Sequence, residues 1–236
     1  MKLSDLFDKC VKAKYIHIEE NSADFASEII GNTLYIYLQW SKGKEDWKNN
    51  FDFPAKPYRD MPVNWKAHRG FVRVWKTIEP YLKEQIQYSL IKKIIVVGYS
   101  HGAALAVLAH EYIWFNRPDI RDNCYSFAFE APRVFCGLKI PEELKERWEN
   151  LYVFRNGLDI VTHLPPSIFG FKHVGNLIKI GVERDNIKPL YWHKIKLPKF
   201  IAEHSFTNVR FSLKEYEENP FIFDIVVHNI LKNMVE

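Results

Sequence analysis

Hydrophobic positions along this chain form short apolar runs in some segments and recur at helical spacing in others, which predicts alternating strands and helices. Short apolar runs such as residues 33–39 and 94–97 are typical of buried strands. Residues 4–14 and 69–89 carry apolar side chains three and four positions apart, as amphipathic helices do. Strands are predicted at 23–30, 33–39, 94–97, 124–129, 151–154, 172–180 and 191–197, and helices at 4–14, 42–51, 69–89, 101–114, 141–149, 201–213 and 220–233. This alternation predicts an α/β fold with a mostly parallel central sheet flanked by helices.

Turn and breaker residues refine this pattern. Gly31-Asn32 lies between the first two strands and suits a two-residue hairpin turn. Pro80 lies inside the helical pattern of residues 69–89, so a kink or break is expected there. The helix after residue 100 should end before Pro118.

Composition favours one compact domain over residues 1–236. The 236 residues are 47% hydrophobic and 15% aromatic, and no linker, repeat or low-complexity tract divides them. The amphipathic N-terminal segment lacks the apolar core of a secretory signal, and no apolar run approaches the ~20 residues of a membrane span. These features predict a soluble, cytoplasmic protein. Three scattered cysteines, Cys10, Cys124 and Cys136, are expected to be reduced thiols.

The charge of the chain excludes one class of partner. A formal net charge of +4 is too mild for a nucleic-acid-binding domain. Residues 179–199 are locally basic, which is typical of a solvated face; the alternative is weak contact with an anionic membrane surface. The sequence gives no oligomeric state.

Residues 92–110 carry the first candidate chemistry. A β-branched run leads into Gly98-Tyr99-Ser100-His101-Gly102, and an Ala- and Leu-rich helical run follows. This is the G-x-S-x-G arrangement of a nucleophile elbow, in which a tight turn exposes the serine at the start of a helix. The alternative is a glycine-rich turn without chemistry. A phosphate-binding loop is excluded because no Gly-Lys-Ser/Thr follows.

Candidate residues follow several predicted strands. Ser41, Ser100 and Asp159 each come directly after one, and sites in α/β sheets form at these carboxyl ends. A serine nucleophile needs a histidine base and an orienting acid, in the chain order serine, acid, histidine. The histidines beyond Asp159 are His163, His173, His193, His204 and His228. Of these, His204 follows the last predicted strands and opens a helix, where a loop can carry it to the serine.

With these residues placed, the chain resembles the class 3 (fungal-type) lipase family of α/β-hydrolases over residues 23–213. Residues 95–106 (IVVGYSHGAALA) are similar to the family's GHSLGGALA elbow, and residues 127–134 (FAFEAPRV) resemble its TFGSPRV strand. Residues 155–166 (RNGLDIVTHLPP) resemble its V-N-x-x-D-x-V-x-x-L-P-P loop. Residues 67–71 (AHRGF), 171–175 (FKHVG) and 203–205 (EHS) are similar to three further segments.

The resemblance implies roles for particular residues. It implies Ser100 as nucleophile, Asp159 as acid and His204 as base, with an oxyanion hole from Ser41 and the His101 amide. It also implies a lid that includes Asp46, Trp47 and Phe51. Gln39-Trp40 replaces the family's usual Arg-Gly before the oxyanion residue, which predicts a displaced second oxyanion donor.

These observations predict a serine hydrolase that cleaves carboxylic esters through an acyl-enzyme intermediate. A lipase or esterase is favoured, with phospholipase and lysophospholipase activities included, and no metal or cofactor is expected. A lipid or small-molecule ester is the expected substrate. Two alternatives stay open: a catalytically weak binding protein that kept the elbow, and a thioesterase or amidase on the same triad.

Overall fold

The structure is a computed structural model that describes residues 2–41, 50, 52–58, 65–181, 190–192, 195–196 and 198–218. The helices are α1 (Leu3–Lys12), α2 (Arg69–Gln87), α3 (His101–Asn116), α4 (Glu142–Arg147), α5 (Lys199–Ala202) and α6 (Phe206–Glu218). The strands are β1 (Ile16–Ile18), β2 (Ala23–Ile30), β3 (Thr33–Leu38), β4 (Ala55–Pro57), β5 (Lys66–His68), β6 (Lys93–Tyr99), β7 (Cys124–Phe129), β8 (Phe135–Cys136), β9 (Leu151–Asn156), β10 (Phe171–Lys172), β11 (Asn176–Ile180), β12 (Tyr191–Trp192) and β13 (Ile195–Lys196).

A seven-stranded sheet in the order β1-β2-β3-β6-β7-β9-β11 forms the centre of the fold. The pairs from β3 to β11 are parallel, and β1 and β2 are joined antiparallel at one edge. The expectation of a mostly parallel sheet is confirmed. The β2–β3 hairpin is confirmed as well, and Gly31 adopts a φ of 61° in its turn.

Helices cover both faces of this sheet because its strands alternate between two hydrophobic clusters. On one face, Ile94 and Val96 of β6 pack with α2 and α3. On the other face, Ile95 and Val97 pack with apolar side chains of α1 and α6. A strand buried on both faces is apolar at every position, which is why the run in β6 predicted a central strand.

Several elements differ from the pattern-based expectation. Helix α2 continues through Pro80, which lies on the exposed side of the helix, where water can satisfy the backbone carbonyl that a proline leaves unpaired. The predicted strand at 172–180 divides into β10 and β11 at Gly175, which has a φ of 78°. The predicted helix at 201–213 divides into α5 and α6. The helix predicted at 42–51 lies outside the described residues except for residue 50, and the helix predicted at 220–233 lies wholly outside them.

Two smaller sheets accompany the central one, one in the order β10-β8-β5-β4 and one of β12 and β13. None of the helices in the described part of the chain combines the length and apolar character needed to cross a membrane.

Candidate active site

Ser100 lies at the sharp turn between β6 and α3. Its backbone adopts φ 57° and ψ −120°, a conformation that non-glycine residues seldom populate and that marks functional turns. The Ser100 N–H donates to the Phe129 carbonyl of β7 at 2.9 Å, which fixes the turn to the neighbouring strand. A Cβ at Gly98 would lie 2.1 Å from the Gly102 carbonyl oxygen, and a Cβ at Gly102 would lie 2.0 Å from the Leu38 carbonyl oxygen. Both glycines are therefore needed for this close packing.

The structure brings Ser100, His204 and Asp159 together from three separate loops. His204 Nε2 lies 2.8 Å from Ser100 Oγ, and His204 Nδ1 lies 2.5 Å from Asp159 Oδ2. A carboxylate only accepts, so Nδ1 carries the proton and Nε2 is free to accept the serine proton. This tautomer gives a hydroxyl, a base and an orienting acid in the order that nucleophilic catalysis requires.

Asp159 is fully buried in the loop after β9. Its Oδ1 accepts from the Val161 N–H at 2.9 Å, while Oδ2 faces His204. Burial raises the pKa of the Asp159 carboxyl, but the hydrogen bond and the charge of His204 outweigh it, so the net pKa is lowered. Asp159 is thus held as a carboxylate that orients His204.

His204 lies in the short turn between α5 and α6, which neighbouring residues hold in place. The Glu203 carbonyl accepts from Asn156 Nδ2 at 2.7 Å, and the Glu203 carboxylate accepts from the Leu158 N–H at 2.8 Å. The Tyr99 hydroxyl donates to the His204 carbonyl, and the Tyr99 ring stacks on the imidazole at 5.2 Å. The pattern 201–213 predicted one helix, but the break at 203–205 is what directs the imidazole at Ser100.

The neighbourhood of Ser41 holds a hydrogen-bonded chain that the sequence did not predict. Asn50 Nδ2 donates to Ser41 Oγ at 2.9 Å, and Asn50 Oδ1 accepts from His101 Nδ1 at 2.6 Å. Asn50 therefore links the two residues expected to form an oxyanion hole. Nothing in the sequence distinguishes Asn50 from the other polar residues of the helix predicted at 42–51, so only its placement reveals this contact.

Trp40 precedes Ser41 and packs against other aromatic side chains. Its ring contacts Phe206 at 4.8 Å and Tyr99 at 6.3 Å in edge-on geometry. Trp40 is not among the described residues with a positive φ, so the chain here does not use a glycine-only conformation. The Trp40 side chain thus packs against the first residue of α6, two positions after His204.

An apolar cavity opens beside Ser100. It has a volume of about 60 Å³ and is lined by Phe53, Phe71, Val161, Leu164 and Pro165 together with Asn50, His101 and Pro132. Such a lining suits a hydrocarbon chain. A larger cleft of about 650 Å³ lies along α4 and is lined mainly by charged side chains remote from Ser100. Of the two, the smaller cavity is the one that Ser100 and His101 line.

Glu130 is a buried carboxyl behind the triad that sequence reasoning did not single out. It follows β7, has a φ of 55° and is 0% exposed. Its Oε2 accepts from the Asn156 N–H at 3.0 Å. Burial, and next the negative charge of Asp159, raise the pKa of Glu130 well above its usual range. A signal existed in the sequence, because Glu130 stands where the TFGSPRV pattern has glycine.

Glu130, Asp159 and His204 are also the one group in the described part of the chain whose donor atoms could surround a metal ion, all within 4.8 Å. Both ring nitrogens of His204 already make hydrogen bonds, to Ser100 and Asp159. A metal would displace one of them, so the arrangement fits a proton relay better than a cation site. The cysteines Cys10, Cys124 and Cys136 are free thiols. Asp46, Trp47 and Phe51, the expected lid residues, lie outside the described residues.

Comparison with known proteins gives a family match and several relatives. The profile of the lipase (class 3) family matches residues 35–169, more than half of the chain. A lipase of Rhizomucor miehei is 27% identical over 177 residues, covering 71% of this chain and 47% of that protein. The secreted mono- and diacylglycerol lipase 1 of Fusarium solani is 25% identical over 148 residues, covering 59% of this chain and 41% of that protein. The matches thus span less than half of these two relatives.

Solved structures agree in fold. The Rhizomucor miehei lipase propeptide complex matches with a TM-score of 0.60 and 23% identity, over 71% of this chain and 56% of that chain. A triacylglycerol lipase, whose catalytic centre is described as a serine protease triad, matches with a TM-score of 0.59 and 22% identity, over 71% of this chain and 65% of that chain. At these identities the likeness shows an α/β-hydrolase fold, which confirms the expected fold class.

The relatives also overturn one expectation. The prediction of a cytoplasmic protein is wrong by this comparison, because relatives from Fusarium solani and Malassezia globosa are named secreted lipases. The prediction had rested on the amphipathic N-terminal segment and on the lack of an apolar run long enough to span a membrane.

Proposed function

This chain belongs to the class 3 lipase family, and we propose that it hydrolyses carboxylic esters of lipids through a Ser100-His204-Asp159 triad. The observation that carries the proposal is the unbroken hydrogen-bonded path from Ser100 Oγ through His204 to Asp159 Oδ2, with distances of 2.8 and 2.5 Å. The serine protease triad described for a structurally similar triacylglycerol lipase supports it.

In the proposed reaction, Ser100 Oγ attacks the ester carbonyl carbon while His204 Nε2 accepts the hydroxyl proton. Asp159 holds the imidazole and stabilises the imidazolium that forms. The proton then passes to the leaving alcohol oxygen as the ester bond breaks, which leaves an acyl-Ser100. Water, deprotonated by His204, attacks this acyl group and releases the fatty acid.

The developing oxyanion needs donors on the other side of the carbonyl. The His101 N–H lies at the N-terminus of α3, where the first N–H groups have no partner within the helix. Ser41 follows β3, the strand that pairs with β6, and is tied to His101 through Asn50. These two residues are the proposed oxyanion hole.

A lipid is the favoured ester because apolar side chains are exposed around the site. We call this set the apolar rim: Leu158, Ile160, Leu164, Ile168, Phe169 and Phe200, which are 37–86% exposed. Leu158 and Ile160 flank Asp159, Leu164 lines the cavity beside Ser100, and Phe169 stacks on Phe53 of that cavity. Exposed apolar surface of this kind suits contact with a lipid aggregate. The names of the secreted relatives, mono- and diacylglycerol lipases, point to acylglycerols as the first substrates to assay.

The proposal is tested with a fluorophosphonate probe and an ester assay. Wild-type protein should be labelled at Ser100 and should hydrolyse monoacylglycerol and p-nitrophenyl esters. Ser100→Ala should remove labelling and lower kcat at least about 10³-fold. Thioester and amide analogues in the same assay separate the thioesterase and amidase alternatives. Hydrolysis that survives Ser100→Ala, or a folded wild type that the probe does not label, would contradict the proposal.

A further inference from the structure

Glu130 places a second carboxyl directly behind the triad acid. Donor atoms of Glu130, Asp159 and His204 all lie within 4.8 Å of one another, so the Glu130 and Asp159 carboxyls are close neighbours in a buried site. Oε2 of Glu130 is occupied by the Asn156 N–H, whereas Oε1 has no donor among the described residues. A buried carboxyl oxygen without a donor is costly if the group is ionised, and a proton on that carboxyl removes the cost.

Only one of the two carboxyls can be ionised cheaply, because two negative charges this close in a buried site repel each other. Asp159 has the better partners, since the His204 imidazole and the Val161 N–H both donate to it. Glu130 has one backbone donor and no exposure to water. Of the two carboxyls, Glu130 is therefore the one that is protonated.

We propose that Glu130 is a positioning residue that stays protonated and donates a hydrogen bond to the Asp159 carboxylate. This rests on the proposed function, in which Asp159 is the triad acid. Through this hydrogen bond, Glu130 fixes the plane of the Asp159 carboxylate and withdraws part of its negative charge. Asp159 then orients the His204 imidazole but stabilises its protonated form less strongly than a carboxylate without this partner would. Glu130 does not touch the substrate, which reacts on the other side of His204.

Other charged groups around Glu130 come from four elements. Arg155 of β9 favours an ionised Glu130, while Asp159 in the loop after β9 favours a neutral one. Tyr99 of β6 faces both carboxyls, and burial is the main cause that raises the pKa of its hydroxyl. His204, in the turn before α6, bonds to Asp159. The carboxylate of the adjacent Glu203 binds the Leu158 N–H. Burial and the negative charge of Asp159 outweigh Arg155.

Infrared difference spectroscopy of folded protein tests the protonation state directly. The wild type minus Glu130→Gln spectrum at pH 7 should contain the carbonyl stretch of one neutral carboxyl. A carboxylate stretch in its place would overturn the proposal. This readout needs no activity, so it holds even where the proposed function fails, and fluorophosphonate labelling of Ser100 reports that function separately.

The pH dependence of kcat/KM tests the positioning role with two variants of similar size. Glu130→Gln keeps an N–H donor toward Asp159 and should stay within about threefold of wild type, with its acidic limb unmoved. Glu130→Met has no donor. Its kcat should fall about tenfold with KM nearly unchanged, and its acidic limb should move to higher pH because Asp159 then holds the imidazolium more tightly.

Two results would overturn this role. An acidic limb that moves down by about one pH unit in Glu130→Gln means that a negative charge was removed, and hence that Glu130 was ionised. Wild-type kcat and pH profile in both variants mean that Glu130 only fills space. If Glu130→Met fails to fold, as judged by thermal unfolding, the pH profile of Glu130→Gln and the infrared band of the neutral carboxyl still test the proposal.

Discussion

At the scale of single residues, two adjacent strands of the central sheet each end in a strained backbone conformation. Four described non-glycine residues have a positive φ, and two of them, Ser100 and Glu130, follow β6 and β7. Such conformations cost free energy, and they persist where the surrounding structure enforces them. Here hydrogen bonds enforce both, from the Ser100 N–H to the Phe129 carbonyl and from the Glu130 N–H to the Phe154 carbonyl, each at 2.9 Å.

Gly102→Ala tests the packing of the elbow at this scale. The new Cβ would lie 2.0 Å from the Leu38 carbonyl oxygen, so the end of β3 and Ser41 must shift. We expect a loss of about 3 kcal/mol in the free energy of unfolding, measured by urea denaturation. Gly31→Ala is the control, because its φ is 61° but nothing lies within 4 Å, and it should cost only about 1 kcal/mol. Equal losses in the two variants would contradict this account.

At the scale of elements, the site depends on loops that α1, α5 and α6 hold together. Phe7 of α1 packs edge-on against Tyr99 and Phe129 at 5.4 and 5.2 Å. Asp8 of α1 pairs with Arg210 of α6 at 2.5 Å. Because α6 begins directly after the turn that carries His204, these contacts position His204 as well as the helix.

The apolar rim belongs to the same scale, and Ile168→Glu tests it. Ile168 is 86% exposed in the turn between β9 and β10. If it enters a lipid surface, the variant should lose about tenfold in kcat/KM on vesicle-bound or emulsified ester. Activity on a soluble short-chain ester should stay within about twofold, since Ile168 is not among the residues lining the cavity beside Ser100.

Leu90→Glu is the matched control for the rim. Leu90 is 63% exposed and precedes β6, so it lies at the opposite end of that strand, roughly 20 Å from Ser100. It should retain wild-type activity on both substrates. If Ile168→Glu and Leu90→Glu lower kcat/KM on vesicle-bound or emulsified ester equally, the apolar rim has no special contact with lipid.

At the scale of the whole molecule, buried histidines couple stability to pH. Burial lowers the pKa of His110 to about 4, that of His173 to about 4 and that of His68 to about 3. The unfolded chain takes up these protons near pH 6.5, and the folded chain does not. Their contribution to stability is therefore complete above about pH 6.5 and is lost as the pH falls toward 4.

His110→Gln tests this coupling. His110 Nε2 donates to the Arg147 carbonyl and Nδ1 faces Ser126 Oγ, each at 2.8 Å, in the layer between α3 and the sheet. For wild type, this histidine alone should cost roughly 2 kcal/mol of unfolding free energy between pH 7.5 and pH 5. The variant lacks this pH-dependent contribution. Its loss of unfolding free energy relative to wild type at pH 7.5 should therefore shrink or reverse at pH 5, as measured in guanidinium titrations. A deficit that stays constant with pH would rule out the neutral buried imidazole.

Much of the fold could be predicted because it depends on local pattern. The continuous apolar run of β6, the hairpin at Gly31 and the elbow at Ser100 all follow from neighbours within a few positions. The break before α6 and the split at Gly175 could not be predicted, since helical periodicity continues across residues 201–213 and strand-like residues continue across 172–180. In both places tertiary contacts outweigh a weak local preference.

The sequence by itself determined the α/β class, the strand-turn-helix around Ser100 and the identity of Asp159 and His204 as candidates. Tertiary structure decided which groups meet: His204 reaches Ser100 across 104 positions of the chain, Glu130 lies behind Asp159, and Asn50 joins Ser41 to His101. The physical reason is that local patterns are set by backbone sterics and burial within one element. Contacts between loops depend on strand order and register in the whole sheet, which no single segment encodes.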